Sequence, residues 1–451
     1  MILDMLKDHN KHETTSFHMP GHKNGNVPLD FILPPNILAY DTTELCDTDA
    51  LIQPQDTILE AEKKAAKLYG AEHSFYLVNG STGGVLTMMY VAFSPGDVVL
   101  VDRYCHMSVL NGCMLRGIQP VYITPETSRV EGIPGVVSVE MVSRALKQYP
   151  MAKGLVLTSP NYYGAAADLT GLAELIHTHR GLLLVDEAHG AHFPFSACFP
   201  PTAMEQGADI SVTSLHKSLP APNQTALLHV GKGFNVEHVR SVLRMLQTSS
   251  PSYLLLAAME QALDYSAQIG RERTAQIVAK LKAFNCPTLE DPFKLLPDWR
   301  HKGLTGTEVD TIFREQFGIY PEMFTTYGLL LMVSWCNSDE DFNHLGEALE
   351  YCSCLPDVSM SPVAVTEGEL PPISVPMDFL SLSDRDMERI SLERAEGRIC
   401  GTSVSAFPPC IPIILPGEII SREQISYLQQ LKRQGCMIVG INEGIPVVDI
   451  T

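Results

Sequence analysis

Leu183-Leu184-Val185-Asp186-Glu187-Ala188-His189 and Asp209-Ile-Ser-Val-Thr-Ser-Leu-His-Lys217 are the two stretches from which the fold is read. Each is a short apolar run that ends in polar side chains able to do chemistry. A carboxylate at the end of a buried strand is costly unless a cation or a donor meets it, and Lys217 follows Asp186 by 31 residues. Similar runs recur outward from this pair, at Ser74–Val78, Asp97–Asp102, Pro120–Ile123 and Gly154–Thr158. Helical spacing over Asp56–Tyr69, Val139–Gln148 and Leu169–Thr178 separates several of them. Strands that are apolar along their whole length, alternating with helices, predict an α/β domain with a mostly parallel sheet covered on both faces. Ligands bind such sheets outside the carboxyl ends of the strands. The polar residues gather at those ends: Asn79-Gly80-Ser81-Thr82, Asp102–His106, Ser159–Asn161, Asp186–His189 and Ser214–Lys217. One composite site is therefore expected.

The chain has 451 residues, with 32 Lys+Arg against 52 Asp+Glu and a net charge of −20. Its 45% hydrophobic and 19% charged residues are those of a globular protein. The acidity and the lack of a basic run argue against a nucleic-acid partner, because phosphate backbones require clustered Lys and Arg. No stretch reaches the roughly 18 consecutive apolar residues of a membrane helix, and the first residues carry acids where a signal peptide carries bases. Eleven cysteines without a Cys-x-x-Cys pair read as reduced structural thiols, so a cytoplasmic protein without a membrane partner is expected. Three zones are predicted: an N-terminal arm over 1–55, a large ligand-binding domain over 56–285, and a smaller C-terminal α+β domain over 286–451. The last contains the Pro-rich stretches Pro362–Pro376 and Pro408–Pro416.

The run Asp186-Glu187-Ala188-His189 invites a nucleotidase reading, but the phosphate loop this requires is missing: Gly231-Lys232 is followed by Gly233. Lys217 supports a different chemistry. A lysine at a strand end, partly desolvated, loses its proton and can form a Schiff base. An acid such as Asp186 then keeps a pyridine nitrogen protonated, the arrangement that makes pyridoxal phosphate an electron sink. Gly80-Ser81-Thr82-Gly83-Gly84, ahead of a helix, supplies hydroxyls and a helix N-terminus for the phosphate, and Ser214 and His216 close that shell. His106 is placed to stack on the ring. Taken singly, each residue has a plainer reading: Asp186 as a helix cap, Lys217 as a surface lysine, His106 as an interior histidine.

Several motifs run in order along the chain: Phe17-His-Met-Pro-Gly-His-Lys23, Asp102-Arg-Tyr-Cys-His106-Met-Ser108, Asp186-Glu-Ala-His189, Ser214-Leu-His-Lys217-Ser-Leu-Pro-Ala, Gly397-Arg-Ile and Pro408-Pro-Cys-Ile-Pro with Pro-Gly-Glu418. On these the chain resembles the short form of the Orn/Lys/Arg decarboxylase family, fold-type I pyridoxal phosphate enzymes, from about residue 13 to 445. The resemblance implies an aspartate aminotransferase-like large domain and α-decarboxylation of arginine, lysine or ornithine, with arginine mildly preferred, to a polyamine or its precursor. It implies Lys217 as the cofactor lysine and Asp186 as the partner of the pyridine nitrogen. His106 is implied as the stacking histidine, with Lys217 or a histidine as the general acid. Ser81, Thr82, Gly83, Ser214 and His216 are implied around the phosphate, and Ala188 and His189 against the ring. It also implies a homodimer or larger assembly.

The sequence departs from the family pattern at Cys410, where a glycine is usual, and at Cys400-Gly401-Thr402, where a small residue, Ala and Glu are usual; Thr42–Asp49 differs as well. These departures bear on the substrate more than on the cofactor. Glu44, Asp47, Asp49 and Glu418 are candidates for the substrate's distal cation. His18 with His22, and His189 with His192, have metal-like spacing, but Pro20-Gly21 breaks the first pair and no metal is expected. An aminotransferase or another lyase on the same cofactor, or a homologue that binds without catalysis, are the alternatives that residues alone leave open.

Overall fold

The computed structural model describes residues 2–9, 14–27, 37–45, 47–325, 328–357, 370–371, 381–382, 385–407, 411–433 and 437–449. Cys410 and its neighbours Pro408 and Pro409 lie outside them, as does most of the Pro362–Pro376 stretch.

A seven-stranded sheet forms the centre of the chain. In chain order its strands are β1 (His73–Leu77), β2 (Val98–Asp102), β3 (Gln119–Ile123), β4 (Gly154–Thr158), β5 (Leu182–Asp186), β6 (Ile210–Ser214) and β7 (Ala226–Val230). Across the sheet the order is β1-β7-β6-β5-β4-β2-β3. Only β7 runs against the rest, antiparallel to both β1 and β6. The carboxyl ends of β1, β2, β4, β5 and β6 therefore share one edge of the sheet, and β7 begins there.

Side-chain alternation along the strands builds two cores, one on each face. Val99, Val101, Val156, Leu184 and Val212 pack with the helices Gly80–Ala92, Met107–Arg116 and Val236–Leu246. Leu100, Leu155, Leu157, Leu183 and Val185 pack with the helices Val139–Gln148 and Leu169–Thr178. Both latter helices are held at their starts by side-chain caps, Ser138 accepting from Met141 N and Asp168 from Gly171 N. The helix Gly80–Ala92 approaches the sheet closely enough that a Cβ on Gly84 would stand 2.7 Å from both Leu77 Cδ1 and Val212 Cγ1.

A third core joins the 29-residue helix Tyr253–Leu281 to Phe293, Leu295, Trp299, Phe313, Leu331, Trp335 and Phe342. The N-terminal arm belongs to it: Thr15–Phe17 forms a strand parallel to Ile319–Pro321, and Phe17 is fully buried. A separate core lies further along the chain, with Val404, Ile413, Ile414, Ile425, Leu428, Ile445 and Val447. Arg103, at the end of β2, connects this last part to the sheet. It is buried, donating from one guanidinium nitrogen to Pro412 O and from the other to Ile413 O at 2.9 Å.

Candidate active site

The expected residues converge on the shared sheet edge. Asp186 ends β5 and is 3% exposed, its Oδ1 accepting from Ala188 N at 3.1 Å. β6 ends at Ser214 and the chain turns at once into a single helical turn, Leu215–Ser218, which carries His216 and Lys217. Lys217 Nζ lies 3.1 Å from His189 Nε2, joining the ends of β5 and β6. Loss of hydration holds the Lys217 amine below its ordinary value, against the opposing pull of Asp186 and Glu322. The same loss of hydration, reinforced by the Lys217 charge, keeps His189 neutral, well below the usual histidine range. Ala188 is buried beside it.

His106 caps the helix Met107–Arg116, with Nδ1 accepting from Ser108 N at 3.2 Å and 2.8 Å from Ser108 Oγ. Desolvation lowers its basicity, Asp186 raises it and Lys217 lowers it further, so all three groups share one space.

The turn at residues 224–225 brings the phosphate candidates together. Gly80 N donates to Gln224 O at 2.8 Å, and His216 Nδ1 donates to Thr225 O at 3.2 Å. Ser81 and Thr82 stand in the first turn of the helix Gly80–Ala92, whose N-cap Asn79 makes no side-chain cap, leaving its N–H groups for an anion. Gly83 is buried against Asn79, where a Cβ would come within 3.3 Å. Ser214 Oγ is buried and has no hydrogen-bond partner. Burial lowers His216 to about 4, so its ring is neutral at pH 7. An orphaned hydroxyl, an uncapped helix start and a dehydrated lysine facing a buried carboxylate fit pyridoxal phosphate.

The structure also explains the Pro-Gly-His-Lys turn. Gly21 N donates to His216 O at 2.8 Å, and a Cβ on Gly21 would fall 2.5 Å from Leu219 O. Only glycine brings that backbone so close to the Lys217 loop. Lys23 Nζ is buried and anchors the turn through His18 O at 2.6 Å and Met332 O at 2.9 Å. Among the distal-cation candidates, Asp49 uses both oxygens on the backbone N–H groups of Ala50, Gln55, Asp56 and Ile58. Glu418 is buried in the C-terminal core, with Oε2 accepting from Leu415 N at 2.6 Å. Both are therefore structural. Glu44 accepts from Thr43 Oγ1, and Asp47 is exposed.

Tyr162, Asp291, Lys294 and Glu322 did not stand out in the sequence. The Tyr162 ring meets His189 edge-on at 4.8 Å, and its hydroxyl donates to Glu322 Oε1. Glu322 Oε2 accepts from Met19 N at 2.9 Å. Tyr162 does follow directly on the polar cluster at the end of β4, the only sequence signal that pointed toward it.

Comparison with known proteins decides the family. The model described as Orn/Lys/Arg decarboxylase, major domain, matches residues 2–291, and the one for the C-terminal domain of that family matches residues 375–446. The chain belongs to the Orn/Lys/Arg decarboxylase family. It is a pyridoxal phosphate-dependent decarboxylase of basic amino acids. An arginine decarboxylase of Bacillus anthracis is 34% identical, the match covering 97% of this chain and 94% of that protein. An arginine decarboxylase of Bacillus subtilis (strain 168) is also 34% identical, over 94% of this chain and 91% of that one. Lysine decarboxylase A from Pseudomonas aeruginosa shares the fold, with a TM-score of 0.74 at 20% identity over 99% of this chain and 80% of that structure. No helix among the described residues is long and apolar enough to cross a membrane.

Proposed function

We propose that this decarboxylase acts on arginine in preference to lysine or ornithine, and that Lys217, Asp186 and His106 are the groups around its reaction centre. The substrate reading rests on the relatives that match this chain over nearly their whole length at 34% identity, which are arginine decarboxylases. The site reading rests on one observation, the 3.1 Å contact between a dehydrated Lys217 amine and the neutral ring of His189, beside buried Asp186.

When bound, pyridoxal phosphate takes up the electron pair that the departing carboxylate leaves behind. Asp186 holds a proton on the ring nitrogen. His106 and Ala188 would pack against the ring. Ser81, Thr82, Gly83, Ser214 and His216 fix the phosphate, and His189 orients Lys217 Nζ. Having taken up a proton from the incoming substrate ammonium, Lys217 Nζ would be placed to supply the proton that replaces the carboxylate at Cα. The product is an amine, a polyamine or its precursor.

We also infer an assembly of at least two copies. Thr82 is exposed in the single chain, although a decarboxylase site must exclude water, and Ile2, Met5 and Leu6 on the first helix are 74%, 60% and 50% exposed. The free state of every described cysteine supports the cytoplasm as its location.

The deciding experiment offers arginine, lysine and ornithine separately to purified, cofactor-loaded protein, and measures CO2 release and the amine formed. Arginine with 4-guanidinobutylamine as product is the expected pair. Faster turnover of lysine or ornithine overturns the substrate.

A further inference from the structure

Lys294 opens the short strand Lys294–Leu295, whose backbone pairs with Leu331 and Met332. It is 3% exposed, and among the described residues no hydrogen-bond acceptor and no ion-pair partner engages its ammonium. A buried cation left in that state is costly, by several kcal/mol by order of magnitude. Lys23, the buried lysine nearby, is by contrast satisfied by two carbonyls.

The surroundings of Lys294 locate its charge. Its stem runs beneath Gly164, where an added Cβ would come 2.9 Å from Lys294 Cγ. Gly164 closes the turn begun by Asn161, the same turn that sets Tyr162 against His189. After burial, the groups that act on Lys294 are Asp291 and Glu322 as anions and Lys217 as a cation, and His189 in turn feels both Lys217 and Lys294. A chain of contacts joins Lys294 to Lys217: its stem lies under Gly164, the Asn161–Gly164 turn carries Tyr162, the Tyr162 ring meets His189, and His189 Nε2 is 3.1 Å from Lys217 Nζ. Of the two nearby anions, Glu322 is held by Tyr162 and Met19 N, and Asp291 Oδ1 lies 3.2 Å from His192 Nε2 and accepts from Phe293 N at 2.9 Å; Asp291 Oδ2 is buried, makes no hydrogen bond among the described residues and forms no ion pair with Lys294.

We propose that Lys294 receives the α-carboxylate of the amino-acid substrate. This rests on the decarboxylase reading above, which fixes where the substrate's amine must come, at Lys217. The carboxylate is carried on the same carbon as that amine, and a basic amino acid has no other anion. A buried cation next to Lys217 with no protein partner matches it in sign and in place. Burial lowers the Lys294 ammonium to about 8, so it stays charged at neutral pH. The arrangement also separates substrate from product: once CO2 has left, the amine offers Lys294 nothing to hold. Lys294 therefore acts as a specificity residue for the carboxylate rather than for the distal cation.

The test compares the Lys294→Met variant with the wild type, both loaded with cofactor, using arginine and 4-guanidinobutylamine as probes. Binding is followed by the change in cofactor absorbance and turnover by CO2. The expected result is unchanged cofactor absorbance and a rise of at least about tenfold in the dissociation constant and KM for arginine, the scale of one charged hydrogen bond. Binding of 4-guanidinobutylamine should stay within about twofold, because the lost interaction is worth nothing to it. Lys294→Arg should recover part of the arginine affinity. Equal weakening of arginine and amine, or a loss of kcat with arginine binding unchanged, overturns the assignment. Lys294→Gln provides the same comparison if Lys294→Met does not fold. A wild type that binds arginine but releases no CO2 overturns the function proposed above, while the two binding curves still decide the role of Lys294.

Discussion

Lys217 is ready to react because the fold strips it of water while leaving Asp186 near enough to matter. Lys217→Ala removes the amine that holds the cofactor. The variant is expected to lose the visible absorbance of the bound cofactor and at least about 10³-fold in turnover, within the range set by single acid–base groups. Full-rate CO2 release by Lys217→Ala would rule out its assigned role. Asp186 works differently, through charge on the ring nitrogen. Asp186→Asn keeps the shape and the bond from Ala188 N, so cofactor should still bind while kcat falls by about 10²- to 10⁴-fold. An absorbance titration and a rate measurement on one preparation separate the two effects.

At the scale of elements, the contact between the helix Gly80–Ala92 and the sheet is the most sensitive. Gly84→Ala forces a methyl group against Leu77 and Val212, and should cost about 1–3 kcal/mol in chemical unfolding. Cofactor affinity should fall with it, since Ser81 and Thr82 ride on the same helix. β7 carries a second test. His229 is buried between Ser74 Oγ at 2.7 Å and Thr213 Oγ1 at 3.1 Å, and its pKa is lowered to about 3 by burial. Between that value and the ordinary histidine pKa the unfolded chain binds the extra proton, so this contribution to stability is present at neutral pH and is lost as pH falls. The loss approaches about 1.4 kcal/mol per pH unit below roughly pH 6.5. His229→Phe should be less stable at pH 7, with two hydroxyls left unpaired, yet show a flatter decline in melting temperature toward pH 5.

The histidine in β7 also shows where sequence reading stops. β4 and β5 were legible to the residue, because strands buried on both faces must be apolar throughout. The strand Ala226–Val230 was not legible, since its length and composition do not reveal that it runs antiparallel, and the partners that make His229 tolerable come from β1 and β6. The cofactor residues lie at strand ends and could be found from chain order. Lys294, Glu322 and Tyr162 reach the same space from segments without a motif; Tyr162 packs in a small cluster with Ala165, Leu296, Met323 and Met332, and Lys294 lies between Phe293 and Leu295 of the third core.

Across the whole molecule, Arg103 ties the sheet to the C-terminal part through two carbonyls, three residues before His106. Arg103→Met removes the guanidinium from both carbonyls, leaving Ile413 O only a long contact with Gln424 Nε2 at 3.5 Å, and a loss on the order of 3 kcal/mol is expected. Limited proteolysis should then release a C-terminal fragment sooner than from the wild type, and identical digestion of the two would show that the tie is not a main support. The arm at the other end of the chain has a different consequence, for synthesis. Phe17 is translated well before its strand partner Ile319–Pro321, which leaves the ribosome 319 − 15 = 304 residues later. At ordinary elongation rates that is a wait of roughly 15 to 60 s. During it the sheet can form and Lys217 can emerge, while the turn that presses on its loop still lacks the strand Ile319–Pro321 and the Met332 carbonyl that anchor it. Catalytic competence is thus one of the last properties a nascent chain acquires, and a ribosome stalled before residue 319 would hold a well-formed sheet with an unbraced lysine.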